Sequence, residues 1–233
     1  MDSLLKKNKG FSLVELLVVI AVLIIIMGAA ALTGGTAVRD SRTKKAAFVF
    51  KTMLMDGFKE AISNYKQVVV EVDSSFSSGT RLMMYIDGDV SETYGGGNDT
   101  LLAYFVVTGD KIDPGKPAGF TGDYYFVPDI VFSSATEGGA STLNLYSIYG
   151  TGFENVPIIG ANAKIIIRPE GVFVVRAGGT TLTPGGLVLF RHVDDIDQGE
   201  QDRQYFVLIT KTFLRVLKLE DDGSGNFVPR ELQ

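Results

Sequence analysis

The 233-residue chain contains no cysteine. That excludes disulfides, thiolate metal sites and a cysteine nucleophile, and it leaves the redox compartment open. There is one histidine, His192. A catalytic triad would have to combine it with Asp194 or Asp195, and no G-x-S-x-G elbow accompanies them. A zinc site would rest on that imidazole and carboxylates alone, which is not a recognised ligand spacing. His192 therefore reads as a strand-end residue with a satisfied ring. The glycine clusters Gly95-Gly96-Gly97 and Gly185-Gly186 match no phosphate-loop spacing and read as loops. A basic excess is missing too, since the formal charge is −5, a poor balance for general nucleic-acid binding. The chain is not expected to be an enzyme, and no cofactor or small-molecule ligand is expected.

Charge is also scarce near the N-terminus. Of the 22 residues from Phe11 to Leu32, 19 are apolar and only Glu15 is charged. Such a run can cross roughly 30 Å of hydrocarbon as one helix, so 11–32 is expected to be a membrane span. A carboxylate costs about 2.5–3.5 kcal/mol at the centre of a span and less towards its end. Glu15 therefore needs a partner. The segment Met1 to Gly10 carries Lys6, Lys7 and Lys9 and reads as a basic leader; removing its three Lys and one Asp takes the formal charge from −5 to −7. A secretory signal peptide also places Lys before an apolar segment, and Ala29-Ala30-Ala31 imitates its cleavage site. Its apolar region is shorter, roughly 7–15 residues, and gives Glu15 no role. A plain N-terminal anchor gives it none either. Counting cations leaves orientation open, because Arg39, Arg42, Lys44 and Lys45 follow the run within reach of the positive-inside bias.

The stretch Gly10-Phe11-Ser12-Leu13-Val14-Glu15, with the apolar run behind it, resembles the processing motif of type IV prepilins and type II secretion pseudopilins. In that family a basic leader ends in Gly, cleavage precedes Phe or Met, and Glu stands fifth in the mature chain. The resemblance implies that a prepilin peptidase cuts between Gly10 and Phe11 and methylates the new amine. It also implies that Glu15 pairs with the Phe11 ammonium of a neighbouring pilin or pseudopilin subunit, and that the head lies beyond the cytoplasmic membrane, in the periplasm or outside the cell.

Beyond Leu32, Ala47, Phe50, Leu54, Phe58, Ala61, Ile62 and Tyr65 recur at three- and four-residue spacing, which predicts a second, amphipathic helical half over 33–66. Lys44, Lys45, Lys51, Asp56, Lys59 and Glu60 are left for the other faces. Gly34-Gly35 is a candidate kink, each glycine costing about 1 kcal/mol against alanine. From Gln67 the pattern changes to β-branched and aromatic runs parted by Gly, Asp, Asn and Pro. Strands are expected at 68–72, 81–86, 101–107, 124–127, 143–149, 163–168, 172–176, 187–192, 204–210 and 213–219, with Pro169-Glu170-Gly171 as a hairpin turn. The expected fold is α+β and pilin-like: a leader (1–10), a transmembrane helical half (11–32), an amphipathic half (33–66) packed on an antiparallel sheet, and a β-rich head (67–233). Phe58-Lys59-Glu60-Ala61-Ile62 before the first strand, and Ile165-Ile166-Ile167-Arg168-Pro169-Glu170-Gly171 downstream, look like the H-type minor pseudopilins and related minor pilins.

Two further stretches carry charge. Asp194, Asp195 and Asp197, in the acidic run to Asp202, offer hard oxygen ligands for Ca²⁺ but lack the EF-hand order; the simpler reading is a solvated acidic turn. Asp221-Asp222-Gly223-Ser224-Gly225-Asn226 reads as a hairpin tip. Lys211, Arg215, Lys218 and Arg230 are the cations a DNA binder would use, and Glu220, Asp221 and Asp222 adjoin them, so the footprint is thin. The reading is a structural filament subunit. Its alternative is a membrane-anchored binding domain for DNA, calcium or an exoprotein that never enters a filament.

Overall fold

Helix α1 (Leu13–Asn64) is the element from which the rest is built. The computed structural model describes residues 11–73, 76, 79–95, 98–136, 139–160, 163–199, 203–224 and 227–232, without the side chains of 29–33. The chain divides into two compact units, 1–39 and 40–233. Gly34 and Gly35, the candidate break, both lie within the continuous helix; once nucleated, a helix gains one hydrogen bond per added residue, and this offsets a local propensity penalty.

In the second unit the buried face of α1 is Thr43, Ala46, Ala47, Phe50, Met53, Leu54, Gly57 and Ala61. Five of the seven residues expected on that stripe lie on or beside it. Ile62 and Tyr65 do not, being 45% and 84% exposed. The helix ends two residues earlier than expected, at Asn64, because Tyr65 takes a left-handed backbone (φ 54°). The amide of Lys66 donates to Ala61 O at 3.2 Å, closing a Schellman-type cap. Glycine is the usual residue there, since a Cβ is strained at positive φ. Tyr65→Gly should raise stability by about 0.5–1 kcal/mol, read as a higher denaturant midpoint with an unchanged m-value; no gain would mean that the ring contributes as much as its backbone costs.

Beyond the helix follow β1 (Gln67–Val72), β2 (Thr80–Asp87), β3 (Thr100–Thr108), β4 (Asp123–Pro128), β5 (Ile130–Ser133), β6 (Thr142–Leu143), α2 (Tyr146–Tyr149), β7 (Val156–Pro157), β8 (Ala163–Arg168), β9 (Val172–Ala177), β10 (Thr180–Thr181), β11 (Gly185–His192), α3 (Val193–Gln198), β12 (Tyr205–Thr210), β13 (Leu214–Asp221) and β14 (Phe227–Leu232). They form a seven-stranded sheet, β10-β9-β8-β1-β2-β3-β4, a five-stranded sheet, β14-β13-β12-β11-β5, and the small pair β6-β7. The architecture is α+β, as expected, and rich in antiparallel pairs.

Several elements differ from expectation. β3 and β4 pair in parallel; the long connection 109–122 permits this, since a parallel pair requires a crossover rather than a tight turn. The expected strand 143–149 is mostly the helical turn α2, closed by Tyr149 N–H to Leu145 O at 3.0 Å and Gly150 N–H to Tyr146 O at 2.8 Å. Strands β5, β7, β10 and β14 were not expected. Gly185 and Gly186 open β11 instead of forming a loop: a Cβ on Gly185 would lie 1.9 Å from Ile209 O, so only glycine admits the neighbouring strand there. The turn at Pro169-Glu170-Gly171 forms the β8–β9 hairpin, with Gly171 N–H bonded to Arg168 O at 3.0 Å.

The main core lies where α1 meets both large sheets: Phe50 and Leu54 join Val68, Val70 and Phe105 from one sheet and Phe190, Val207 and Val216 from the other. Alternate residues of β11 and β12 (Leu187, Leu189, Phe206, Leu208) point the other way, into a second cluster with Leu145 and Val156. Both faces of these strands are covered, which explains their unbroken apolar runs. A third cluster, Val69, Tyr85 and Ile166, lies on the outer face of the seven-stranded sheet.

Candidate processing and assembly site

The first turn of α1 is built by two residues of the N-terminal motif. Ser12 precedes the helix; its Oγ accepts the Glu15 N–H at 3.2 Å, and Glu15 Oε2 accepts the Ser12 N–H at 3.0 Å. Ser12 O accepts the Leu16 N–H at 3.2 Å. This is a reciprocal capping box, which satisfies two amide donors that a helix start otherwise leaves without partners. A role for Glu15 in starting the helix was not among the sequence expectations, although S-x-x-E before an apolar run is its signature. Cleavage before Phe11 would leave the Ser12 amide in place, so the box survives processing. One carboxylate oxygen is engaged in it, and a carboxylate has a second with which to meet an ammonium.

Behind the cap the apolar side chains lie open on every face. Phe11, Leu13 and Val14 are 69–84% exposed, and Leu16 to Ile20 and Val22 to Met27 are 48–71% exposed. Among the described residues no helix is long and apolar enough to cross a membrane. The part of the expected span that includes the side chains of Ala29 to Leu32, and Gly10 with the rest of the leader, lie outside the described residues.

The other candidates fare differently. Asp194, Asp195 and Asp197 fall in the short helix α3, not in a solvated turn. Asp195 is 2% exposed and faces Arg203 across 3.5 Å, whereas Asp194 and Asp197 are exposed, so the three do not converge as a calcium site. His192 Nδ1 accepts the Asp194 N–H at 3.2 Å and caps α3, the strand-end role expected of it. Burial lowers the affinity of the neighbouring Arg191 guanidinium for its proton, and Asp195 opposes that shift. Among the described residues the carboxylates that do converge are Asp87, Asp89 and Asp99. Asp87 already accepts from Gln67 Nε2 at 3.0 Å, Ser91 N–H at 3.2 Å and Glu92 N–H at 2.8 Å, which accounts for the group as a loop-closing cluster.

Three of the four cations proposed for DNA are spent on ion pairs: Arg215 with Glu231 at 2.7 Å, Lys218 with Asp40 at 3.1 Å and Arg230 with Glu220 at 3.1 Å. Lys211 is exposed, beside a cleft of about 310 Å³ that it lines with Arg168, Phe173, Val175 and Pro184. At the hairpin tip, Asp221 and Asp222 cap the amides of Gly223 and Ser224, each at 2.8 Å; Gly225 and Asn226 lie outside the described residues.

Residues 5–31 match the family described as the prokaryotic N-terminal methylation motif. The chain carries a prepilin-type methylation motif. The motif supports a place in the type IV pilin and pseudopilin superfamily and points to a structural subunit rather than an enzyme. No curated protein and no solved structure matches the chain. The methylation motif ends before the amphipathic half of α1 begins, so the resemblance to H-type minor pseudopilins rests on residues outside it.

Proposed function

We propose that the chain is a minor pilin- or pseudopilin-type subunit of a type II secretion pseudopilus or type IV pilus-like filament. Prepilin peptidase cleaves it between Gly10 and Phe11 and methylates the Phe11 amine. The subunit waits in the cytoplasmic membrane with its β-rich head on the far side, and it enters the filament through α1. The observation that carries this reading is the exposed apolar start of α1 with one acid four residues from Phe11. Apolar surface left in water costs about 25 cal/mol per Å². A bilayer before assembly, and neighbouring helices after it, remove that cost. In the low-dielectric surroundings so created, Glu15 is stabilised by an ammonium from the next subunit.

Glu15 has two jobs in this reading, and two substitutions separate them. Glu15→Gln keeps a capping-box side chain but removes the charge, whereas Glu15→Ala removes both. Both variants should accumulate in the membrane, cleaved at Gly10-Phe11, and both should fail to enter sheared filaments, with incorporation down at least about tenfold, the equivalent of one lost charge-assisted contact. If Glu15→Gln assembles as the native chain does, the acid serves the helix start alone. Intact mass gives the companion test: a chain starting at Phe11 with one added methyl agrees with the proposal, and a chain retaining Met1, or starting beyond Ala31, sinks it in favour of an anchored binding domain.

A further inference from the structure

The second half of α1 has an outward face as regular as its buried one. Phe48, Met55 and Ile62 recur every seventh residue, a spacing that drifts by only about 20° per repeat on a straight helix. Met55 and Ile62 are 39% and 45% exposed, and Phe48 is half-buried, one part of it packed against the main core and the rest open at the edge of this line. Lysines line this seam. Lys44 and Lys51 lie 5.8 and 6.0 Å from the Phe48 ring centre, Lys45 and Lys59 stand on the adjoining edge of the helix, and Lys66 follows just past its end. Lys59 is paired on its own helix with Asp56 at 2.6 Å. Lys44, Lys45, Lys51 and Lys66 have no carboxylate partner among the described residues.

The chain's charge is distributed unevenly around this seam. Residues 40–66 hold six Lys or Arg against three Asp or Glu, a balance of +3, whereas 67–233 hold 12 against 22, a balance of −10. Exposed acids on the β part include Asp110, Asp113, Asp123, Asp194, Asp197, Asp221 and Asp222. Two copies cannot join seam to seam, because that sets lysine against lysine. A seam against the acidic β part of another copy is complementary in charge and buries the apolar line.

We propose that the Phe48-Met55-Ile62 seam, with Lys44, Lys45 and Lys51, is the docking surface for the acidic β part of a second copy of this chain. Such a contact joins two different surfaces, so each copy keeps one of each free, and the contact propagates as an open helical array unless its rotation happens to close. The inference deepens the filament reading and rests on it.

The test uses the full chain in detergent micelles, mixed from ¹⁴N- and ¹⁵N-labelled preparations and treated with a zero-length carbodiimide cross-linker. Mixed-isotope links should join Lys44, Lys45, Lys51 or Lys66 to Asp or Glu within 67–233, and their yield should fall as ionic strength rises to about 0.5 M. The variant Lys44→Glu/Lys45→Glu/Lys51→Glu, with its melting curve unchanged, should lose about tenfold in yield, since like charges now face each other. Links running only helix to helix, absence of mixed-isotope links, or an unchanged yield in the variant would each overturn the inference. So would charge-dependent binding of the chain to phosphatidylglycerol vesicles without any intermolecular link, which would assign the seam to lipid. None of these outcomes touches processing at Phe11 or the dependence on Glu15, so failure here is distinguishable from failure of the filament reading.

Discussion

Phe50→Ala should destabilise the second unit by about 3–5 kcal/mol, the range for deleting a fully buried aromatic ring. Phe50 is 0% exposed and comes from α1. Its ring lies 5.4 Å from Phe105 of the seven-stranded sheet and 5.5 Å from Phe190 of the five-stranded sheet, and those two rings are 5.8 Å apart. Three layers therefore meet in one aromatic triangle. Removing its helical corner loses the transfer energy of the ring, two aromatic contacts worth about 0.5–1.5 kcal/mol each beyond their area, and the packing around a cavity that three rigid elements cannot close. Phe50→Leu refills most of the space and should cost about 1–2 kcal/mol. Denaturant unfolding of the full chain gives both values. A loss under 1 kcal/mol for the alanine variant would mean that the helix is not held by this triangle.

Glu71→Ala should cost about 2 kcal/mol and release the segment 88–95 that follows β2. The Glu71 carboxylate is 9% exposed and is the common acceptor for Lys164 Nζ at 2.9 Å, Tyr85 Oη at 3.2 Å and the Tyr94 N–H at 3.1 Å. Lys164 also donates to the Glu92 carbonyl and to Thr93 Oγ1, and Arg176 pairs with Glu92 at 2.8 Å, so the segment is strapped to the outer face of the sheet by charge. Burial, and then the adjacent Glu71 charge, push the Tyr85 hydroxyl well above its ordinary value, so it remains a donor throughout the physiological range. A donor left buried without an acceptor costs about 1–3 kcal/mol. Lys164 is 31% exposed and can turn to water, which keeps the total towards the middle of that range. A protease that cuts after glutamate should attack Glu92 at least several-fold faster in the variant. Equal rates would show that the Arg176–Glu92 pair, the Lys164 contacts and the Tyr85–Tyr94 ring contact hold the segment without Glu71.

The local pattern was legible wherever one rule acted alone. The helix stripe from Ala47 to Ala61, and strands such as 68–72, 163–168 and 204–210, could be read because periodicity reports which faces are covered. The errors arise where a distant contact decides. Ile62 keeps the helical spacing from Phe58, yet it stands one position beyond buried Ala61 and so falls on the outward side of α1, away from the sheets. Leu143 to Tyr149 has strand composition, yet Leu145 is drawn into the outer cluster and its carbonyl closes a helical turn. The acidic run after His192 looks solvated in sequence, and Asp195 is buried because Arg203 comes back to meet it. At the processing site the motif residues were plain from sequence, as was the anomaly of Glu15. The capping box is written as Ser12-x-x-Glu15, but one acid there answers two demands, a helix start and a membrane partner, and sequence spacing alone does not separate them.

The aromatic triangle also fixes an order of events. Phe50 emerges from the ribosome early, and one of its two walls, Phe190 on β11, emerges only after most of the chain has been made. Contacts so far apart in sequence close late and slowly. Until then the stripe Ala46-Phe50-Leu54 has only the first sheet to lean on. A nascent or shortened chain that stops before β11 therefore carries a helix already synthesised but still sticky along its future core, and is a substrate for chaperones and proteases rather than a smaller version of the same subunit.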